Sequence, residues 1–349
     1  MQRQFSIGEY PIGGPHTYVI AEAGSNHNGE LSVAKELIDA AAEAKVDAVK
    51  FQAFRATQHY SKHTPSFDYL ERAGHRQSTF DLIRALEIDR EWHEPLIKYA
   101  QSKRVTFLSS PCDREAIDQL AGLGMPAFKL ASFDLPDVSL IRHMASFGRP
   151  LILSTGMANY ADIQGALRAA REGGTEEVVL LQCTSLYPAP VELSNLAAIR
   201  TMRRAFGVPV GYSDHTLGDH VCLAAVALGA CVIEKHFTLN RDLPGPDHAF
   251  AIQPGELTAM VERIRDVEAA IGDGVKMGPR EGEREMFEKG RRSVHVRRQI
   301  QAGEKIAETD ICIKRPGYGI SPSLADALVG MVARRTIEED HWVSWDDFK

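Results

Sequence analysis

Residues 208–237 carry the pattern that decides the fold: VPVGYSDHTLGDHVCLAAVALGACVIEKHF. Two short apolar runs, VPVGYSD and CVIEKHF, have the length and composition of buried β-strands, and the segment between them has helical character. The same alternation recurs along the chain, with strand-like runs near residues 17, 47, 105, 127, 150, 178, 208 and 231. The sequence therefore predicts eight consecutive β/α units.

Strands that are apolar along nearly their whole length are typical of parallel sheets covered by helices. Eight of them alternating with helices within about 255 residues predict an α/β fold, a closed (β/α)₈ TIM barrel. Segments such as LSVAKELIDAAAEAK at 31–45 and ADIQGALRAAREGG at 161–174 have the periodicity of the intervening helices. A doubly wound open sheet is the alternative, but no GxGxxG follows the first strand to support it.

The composition changes after the predicted helix LTAMVERIRDVEAAIG at 257–272. A charged, glycine-bearing segment comes next, and the tail after it contains short strand-like runs broken by turns. We predict a barrel over 1–272, a linker over 273–292 and a small β-rich domain over 293–349. A core of about 60 residues is marginal alone, so we expect this domain to dock on another surface.

The overall composition is that of a globular protein, with 349 residues, 44% hydrophobic and 25% charged. A net charge of -7 argues against nucleic acid as a partner. The N-terminus lacks an apolar leader and no later stretch is long enough to cross a membrane, so we expect a cytoplasmic protein. The five cysteines form no CxxC pair, and we expect them to be reduced and mostly buried.

The active site of a parallel barrel lies at the C-terminal ends of its strands. Here every predicted strand ends in polar residues, which in chain order are Glu22, Asn26 and His27; Lys50 and Gln52; Ser109 and Ser110; Lys129 and Ser132; Ser154 and Thr155; Thr184, Ser185 and Tyr187; Ser213, Asp214 and His215; Glu234 and His236. A single serine or threonine there would be explained by capping of backbone groups. Polar residues at all eight ends predict a functional site.

Lys50 and Lys129 lie inside apolar runs, where an ammonium group is costly to bury unless an anion meets it. Three explanations remain open: a structural ion pair, a Schiff-base lysine of an aldolase, or binding of an anionic ligand. Two lysines beside several hydroxyls favour the anion, since a phosphate and a carboxylate are bound by such groups.

His215 and His236 end the seventh and eighth predicted strands, which are neighbours in a barrel. Adjacent strands are about 4.8 Å apart, so both imidazoles can reach one ion. With oxygen ligands from substrate and water, they suit Mn²⁺ or Mg²⁺ better than structural zinc. Glu22 and Glu234 would lie beside this ion as candidates for proton transfer and sugar binding, or else pair with the buried lysines.

Nine motifs in this order resemble the N-acetylneuraminate (sialic acid) synthase family, which includes the legionaminic, pseudaminic and spore-coat polysaccharide synthases. They are VIAEAGSNHNG, DAVKFQ, FLSSPCD, AFKLAS, LILSTGM, QCTSLYP, GYSDHTLG, AAVALGACVIEKHFTL and LPGPDH. The tail GRRSVHVRRQIQAGEKIAETDICIKRPGYGISP resembles the antifreeze-like (SAF-type) domain of the same enzymes. The resemblance spans nearly the whole chain.

The resemblance implies condensation of phosphoenolpyruvate with N-acetylmannosamine or a related amino-sugar aldehyde, with legionaminic, pseudaminic and spore-coat acceptors as alternatives. It implies phosphoenolpyruvate contacts at Lys50, Lys129, Ser132, Ser154, Ser185 and Ser213. Ser185 stands where a known member has asparagine. The sugar contacts implied are Gln52, Tyr187, Glu234, Asp247 and Arg315. Glu22 matches the catalytic acid or base, and His215 and His236 match the metal ligands.

Two rival functions remain: a class I aldolase, and a non-catalytic barrel whose tail binds carbohydrate or ice. The segment at 57–80 matches the family poorly, and we expect it to influence the choice of sugar. We also expect a homodimer in which the antifreeze-like domain of one subunit closes the barrel of its partner, with Arg315 acting in trans. The charged linker is long enough for such an exchange, and a barrel mouth needs a lid that excludes water.

Overall fold

The computed structural model describes residues 4–67, 70–71 and 77–349. The chain divides into two compact units, Met1–Gly272 and Asp273–Lys349. The first unit begins with an antiparallel hairpin of β1 (Phe5–Ile7) and β2 (Tyr10–Ile12). The strands of its parallel sheet are β3 (Tyr18–Gly24), β4 (Ala48–Ala53), β5 (Thr106–Pro111), β6 (Phe128–Leu130), β7 (Leu151–Ser154), β8 (Val178–Cys183), β9 (Val210–Asp214) and β10 (Val232–His236).

Helices alternate with these strands as the sequence predicts. They are α1 (Leu31–Glu43), α2 (Ala56–His59), α3 (Thr79–Ala85), α4 (His93–Ser102), α5 (Arg114–Gly122), α6 (Val138–Ala145), α7 (Tyr160–Gly173), α8 (Ala197–Phe206), α9 (His220–Ala227) and α10 (Pro254–Ile271). The start of α7 has a capping box. The Asn159 side chain accepts from the backbone N–H of Asp162, and the Asp162 carboxylate accepts from the backbone N–H of Asn159. Apolar faces of the helices pack on the outside of the sheet. No helix in the described part of the chain is long and apolar enough to span a bilayer.

The eight strands curl into a barrel. Their order is β5-β4-β3-β10-β9-β8-β7-β6, so β10, the last strand of the barrel, pairs in parallel with β3, the first. In the ranges that the structure describes, no ladder joins β5 to β6, although the two strands are in contact. The predicted TIM-type barrel is confirmed, with this one seam left without a hydrogen-bonded ladder.

The barrel interior follows from the two-residue period of its strands. At the N-terminal ends the inward residues are apolar, including Ile20, Leu108 and Ile152, and they pack against the β1–β2 hairpin. This hairpin plugs the bottom of the barrel. Gly211 is required in this layer, because a Cβ there would lie 2.7 Å from Leu181 Cδ2 and overlap the Val232 carbonyl oxygen.

The second unit is a small β-rich body with its own core. Its strands β11 (Ser293–Val296) and β12 (Ile311–Lys314) pair antiparallel, and isolated bridges extend the structure. Buried residues of this core include Val294, Ile300, Leu328, Val343 and Phe348. Before β11 the chain forms short helical turns at Glu281–Glu283 and Met286–Gly290.

Candidate active site

A cavity of about 420 Å³ lies at the C-terminal ends of the barrel strands. It brings together every predicted site residue of the first unit: Glu22, Lys50, Gln52, Lys129, Ser132, Ser154, Ser185, Tyr187, Ser213, His215, Glu234, His236 and Asp247. Arg315 belongs to the second unit, where it follows β12. The convergence follows from strand geometry, because each side chain lies at or just beyond the point where the inward apolar layer ends.

Lys50 and Glu22 form a fully buried ion pair in this cavity. Lys50 Nζ lies 2.6 Å from Glu22 Oε2 and donates to Ser110 Oγ at 2.9 Å. Glu22 Oε1 also accepts a 2.8 Å hydrogen bond from Gln52 Nε2. Burial raises the pKa of Glu22 and outweighs the attraction of Lys50. Glu22 is therefore a carboxyl group that can exchange a proton at higher pH than an exposed glutamate.

Lys129 and Glu234 form a looser buried pair. Lys129 Nζ lies 3.6 Å from Glu234 Oε1, and Glu234 also accepts a 2.9 Å hydrogen bond from Ser213 Oγ. Burial lowers the pKa of Lys129 despite the nearby Glu234 carboxylate. Burial opposes ionisation of Glu234, but Lys129 and Lys50 outweigh it and lower its pKa to about 2. Each lysine thus has a carboxylate neighbour, as expected for a structural ion pair, one of the three explanations considered for the buried lysines.

Several hydroxyls of the cavity are left without protein partners. Ser154 Oγ and Ser185 Oγ are buried and accept or donate no hydrogen bond within the described residues. Ser132 Oγ accepts from the Gly156 N–H at 3.0 Å. A Cβ on Gly156 would overlap both Ser185 Oγ and Ser132 Oγ. The hydroxyls of Ser132 and Ser185 therefore lie against a backbone position that only glycine permits. Buried polar atoms that have no protein partner are normally hydrogen-bonded to a ligand or to water.

The two predicted metal ligands lie on the neighbouring strands β9 and β10, with ring centroids 5.3 Å apart. His215 Nδ1 lies 2.8 Å from the Thr184 carbonyl oxygen, which places a proton on Nδ1 and leaves Nε2 as a free lone pair. His236 Nδ1 is buried and has no hydrogen-bond partner among the described residues. Burial, and then the proximity of His215, keep the pKa of His236 well below its usual range.

This donor set fits a divalent ion, because two imidazoles on neighbouring strands line the same cavity and imidazole nitrogen is a good ligand for such ions. In the part of the chain that the structure describes, no third histidine, cysteine or acidic side chain completes a compact cluster with them. The carboxylate of Asp247 is close to one of them, with its Oδ2 3.7 Å from His236 Nδ1. Burial, and then the charge of Glu22, raise the pKa of Asp247 to about 6.

Aromatic rings pack beside the histidines. The Tyr187 ring centroid lies 4.4 Å from that of His215, and the Phe250 ring lies 5.1 Å from His236. Asp214, one of the polar strand ends, has a different role: it accepts a 2.7 Å bond from the buried Lys235. This pair ties β9 to β10 and so holds the two histidines side by side.

The cavity lining also contains residues that were not predicted as ligands or catalytic groups, among them His59, Cys112 and Asp134, and Ser110 was predicted only as a polar strand end. Ser110 ends a predicted strand, and its contact with Lys50 could have been anticipated from the two-residue period. His59, at the end of α2, lies in the segment 57–80 that was expected to influence sugar choice. In that segment Tyr60 and Phe67 also line the cavity, whereas residues 68–69 and 72–76 lie outside the described part of the chain.

The chain belongs to the NeuB family, which matches residues 37–276. A SAF domain matches residues 291–349. Both findings confirm the family resemblance of the sequence.

One relative of known name and two solved structures are similar to this chain over most of its length. An N,N′-diacetyllegionaminic acid synthase of Campylobacter jejuni is 40% identical over 330 residues, covering 94% of this chain and 98% of that protein. The crystal structure of the spore coat polysaccharide biosynthesis protein SpsE from Bacillus subtilis covers 99% of both chains at 37% identity, with a TM-score of 0.67. That of N-acetylneuraminic acid (sialic acid) synthetase from Leptospira borgpetersenii, in complex with citrate, covers 82% of this chain and 96% of that chain at 34% identity, with a TM-score of 0.72.

Proposed function

We propose that this enzyme condenses phosphoenolpyruvate with an acetamido-sugar aldehyde to give a nonulosonic acid and inorganic phosphate. The observation that carries the proposal is the convergence of two buried lysines, unpartnered serine hydroxyls and two neighbouring histidines in one cavity. This set can hold a phosphate and a carboxylate beside a cation. Membership of a family of sugar-acid synthases supports it.

In this proposal Lys50 and Lys129 neutralise the charges of phosphoenolpyruvate, and the hydroxyls of Ser132, Ser154 and Ser185 donate to its oxygens. The lysines need not be unpaired, because the ligand brings anions that can share them with Glu22 and Glu234. Holding the vinyl group against the aldehyde replaces a bimolecular encounter by an oriented one. The new C–C bond forms between C3 of phosphoenolpyruvate and the aldehyde carbon.

The second half of the reaction requires water. We propose that Glu22 accepts a proton from the water that adds to C2, since its raised pKa makes it a stronger base than an exposed glutamate. The C2–O bond to phosphate then breaks, inorganic phosphate leaves, and a 2-keto-3-deoxy acid remains. His215 and His236 would hold Mn²⁺ or Mg²⁺, and the chemistry that such a bound ion supplies is polarisation of a carbonyl oxygen.

For the acceptor we propose 2,4-diacetamido-2,4,6-trideoxymannose ahead of N-acetylmannosamine, the first candidate from the sequence. One wall of the cavity is apolar and includes Phe54, Tyr60, Ile83 and Leu86. This wall suits a sugar that carries a methyl group and a further acetamido group. The 40% identity with a legionaminic acid synthase points the same way.

An acceptor panel tests the proposal. Purified enzyme with Mn²⁺ and phosphoenolpyruvate should release phosphate only when an amino-sugar aldehyde is added, and the trideoxy sugar should give the highest kcat/KM. Preference for N-acetylmannosamine would reverse the choice of acceptor. Phosphate release with none of the sialic, legionaminic and pseudaminic precursors would contradict the proposal itself.

Aldolase chemistry is the second candidate because burial lowers the pKa of Lys129, which favours a nucleophilic amine. Borohydride added to enzyme, sugar and pyruvate separates the two mechanisms. We expect the protein mass to stay unchanged, whereas a stable adduct that Lys129→Met abolishes would establish a Schiff base.

The homodimer stays a prediction, and subunit mixing tests it. Glu22→Gln and Arg315→Ala chains are each expected to be inactive. If Arg315 acts in trans, random pairing should restore about a quarter of wild-type activity, because half of the dimers carry one intact site of two. No recovery, with heterodimers confirmed by mass, would exclude a trans role.

A further inference from the structure

A group of three potential metal ligands lies in the same cavity, apart from the two histidines. His59 closes α2, Cys112 follows β5, and Asp134 lies in the turn after β6. One ligand atom from each comes within 4.8 Å of the others. None of the three has a role in the proposed condensation.

The distances suit a small ion. His59 Nδ1 lies 3.7 Å from Asp134 Oδ1. Two ligands of a tetrahedral ion with bonds of about 2.0–2.3 Å lie about 3.5 Å apart. The Cys112 thiol also lies within 4.8 Å of these two ligand atoms, and its Sγ is 3.8 Å from the Ser110 carbonyl oxygen.

The electrostatics of this corner favour a cation. Burial, and then the charges of Asp134 and Asp113, raise the pKa of Cys112 well above its usual range. Burial also raises the pKa of Asp134, against the attraction of His59 and Lys129. Both shifts disfavour the anionic forms of these two side chains, because the positive charge nearby does not offset the cost of burial. A divalent ion would supply that charge and displace the protons.

We propose that His59, Cys112 and Asp134 form a second divalent cation site, selective for a thiophilic ion such as Zn²⁺. Sulfur, imidazole and carboxylate ligands are those that Zn²⁺ prefers, whereas Mg²⁺ and Mn²⁺ prefer oxygen. Three protein ligands leave a fourth position, which faces the cavity because all three side chains line it. The site goes beyond the proposed condensation and does not depend on it.

Cobalt provides the test, because a Co²⁺–thiolate bond has a charge-transfer absorption in the near ultraviolet that imidazole ligation lacks. Full-length protein is stripped with a chelator and titrated with Co²⁺ in the absence of substrates. We expect the band in the wild type and its loss in Cys112→Ser. Cys183→Ser is the matched control: Cys183 lines the same cavity, but its Sγ lies 3.9 Å from His215 Nδ1. This control should keep the band.

His59→Gln and Asp134→Asn keep the thiol and test the other two ligands. Each should weaken Co²⁺ binding by more than about 100-fold, since even indirect partners of a metal ligand contribute about 10- to 100-fold. Circular dichroism and thermal unfolding check that every variant folds. No thiolate band in the wild type, or unchanged affinity in these two variants, would overturn the proposal. A band lost in Cys183→Ser and kept in Cys112→Ser would place the ion beside His215 instead. Because no substrate is present, the result is independent of whether the enzyme condenses phosphoenolpyruvate.

Discussion

The bottom and the mouth of the barrel interior differ although the same strands build both. At the bottom the inward side chains of four strands are Ile20, Ala48, Leu108 and Ile152, all fully buried. Two residues further along these strands the inward side chains are Glu22, Lys50, Ser110 and Ser154. The bottom removes apolar surface from water and stabilises the fold. The mouth buries charges and unpartnered hydroxyls, which contribute little or cost stability. The groups proposed to bind substrate and to catalyse are thus separated from the groups that stabilise the fold by a single step of the strand period.

The largest effect is expected from a substitution of Glu22, at the mouth of the barrel. Glu22→Gln keeps the size of the side chain and its bond to Gln52 but cannot accept a proton. We expect kcat to fall about 10²- to 10⁴-fold, the usual contribution of a general base. Phosphoenolpyruvate affinity by calorimetry and the thermal midpoint should change little. An unchanged kcat with lost binding would make Glu22 a binding group.

A substitution at the bottom of the barrel should have the opposite effect, changing stability and leaving ligand binding unchanged. Ile152→Ala should lower the free energy of unfolding by about 2–5 kcal/mol, because it removes a fully buried side chain and leaves a cavity. The control Ile152→Val should cost about 0.5–1.5 kcal/mol. Denaturant unfolding measures both. Phosphoenolpyruvate affinity should be preserved in each, and a matching loss of affinity would show that the two layers are coupled.

A pH effect on stability is expected from His27, which lies in the turn after β3, outside the cavity lining, and packs against Phe51 and Trp92. Burial lowers its pKa to about 4, and its Nδ1 accepts a 3.1 Å hydrogen bond from the Gly29 N–H. The folded state therefore binds this proton more weakly than the unfolded chain, whose histidine pKa is about 6.5. Stability is fully present above pH about 6.5 and falls as the pH decreases through about 4, by up to about 3 kcal/mol.

Denaturant midpoints measured across this range for His27→Asn should show a flatter pH dependence than the wild type. The exposed His63 provides the control, since His63→Asn should leave the slope unchanged. Equal slopes for all three proteins would mean that His27 does not titrate differently on folding.

The smallest effect is expected at Ser154, where the loss of one hydroxyl separates a contribution to binding from a contribution to stability. Ser154→Ala removes a buried hydroxyl that has no partner in the described residues, so stability should stay within about 0.5 kcal/mol of the wild type or rise. Affinity for phosphoenolpyruvate should fall by about 1 kcal/mol, roughly fivefold in Kd. A loss of stability without a loss of affinity would assign this hydroxyl to the fold.

The sequence predicted the barrel because eight apolar runs have a period and a spacing that few other folds share. It also predicted that most polar strand ends meet, since the ends of parallel strands meet whatever their exact register. Six of the predicted strand-end residues do not line the cavity: Asn26, His27, Ser109, Thr155, Thr184 and Asp214. Asp247, which does line it, was supplied by the family resemblance. The pairing of Lys50 with Glu22 was not predictable in this way. It depends on the register of β3 against β4, where Glu22 lies directly beside Lys50.

The cluster of His59, Cys112 and Asp134 was missed for a different reason. Its residues come from three separate βα connections, and no periodicity relates them. The five cysteines were expected to be reduced and mostly buried; all five are free in the structure, and Cys112 is the one that is only partly buried. The β1–β2 hairpin was missed as well, although FSIGEYPI, with its central Gly8 at positive φ, is a recognisable turn between two short strands.

The hairpin that plugs the barrel has a consequence for traffic through the enzyme. Since β1 and β2 cover the N-terminal end, molecules reach the cavity from the C-terminal side and return by the same route. In such a dead end the molecule that lies deepest must arrive first and depart last. If the serine hydroxyls and lysines at the base of the cavity hold phosphoenolpyruvate, the sugar enters second and covers it. Initial-rate patterns should then be those of an ordered sequence, in which a dead-end sugar analogue traps phosphoenolpyruvate on the enzyme.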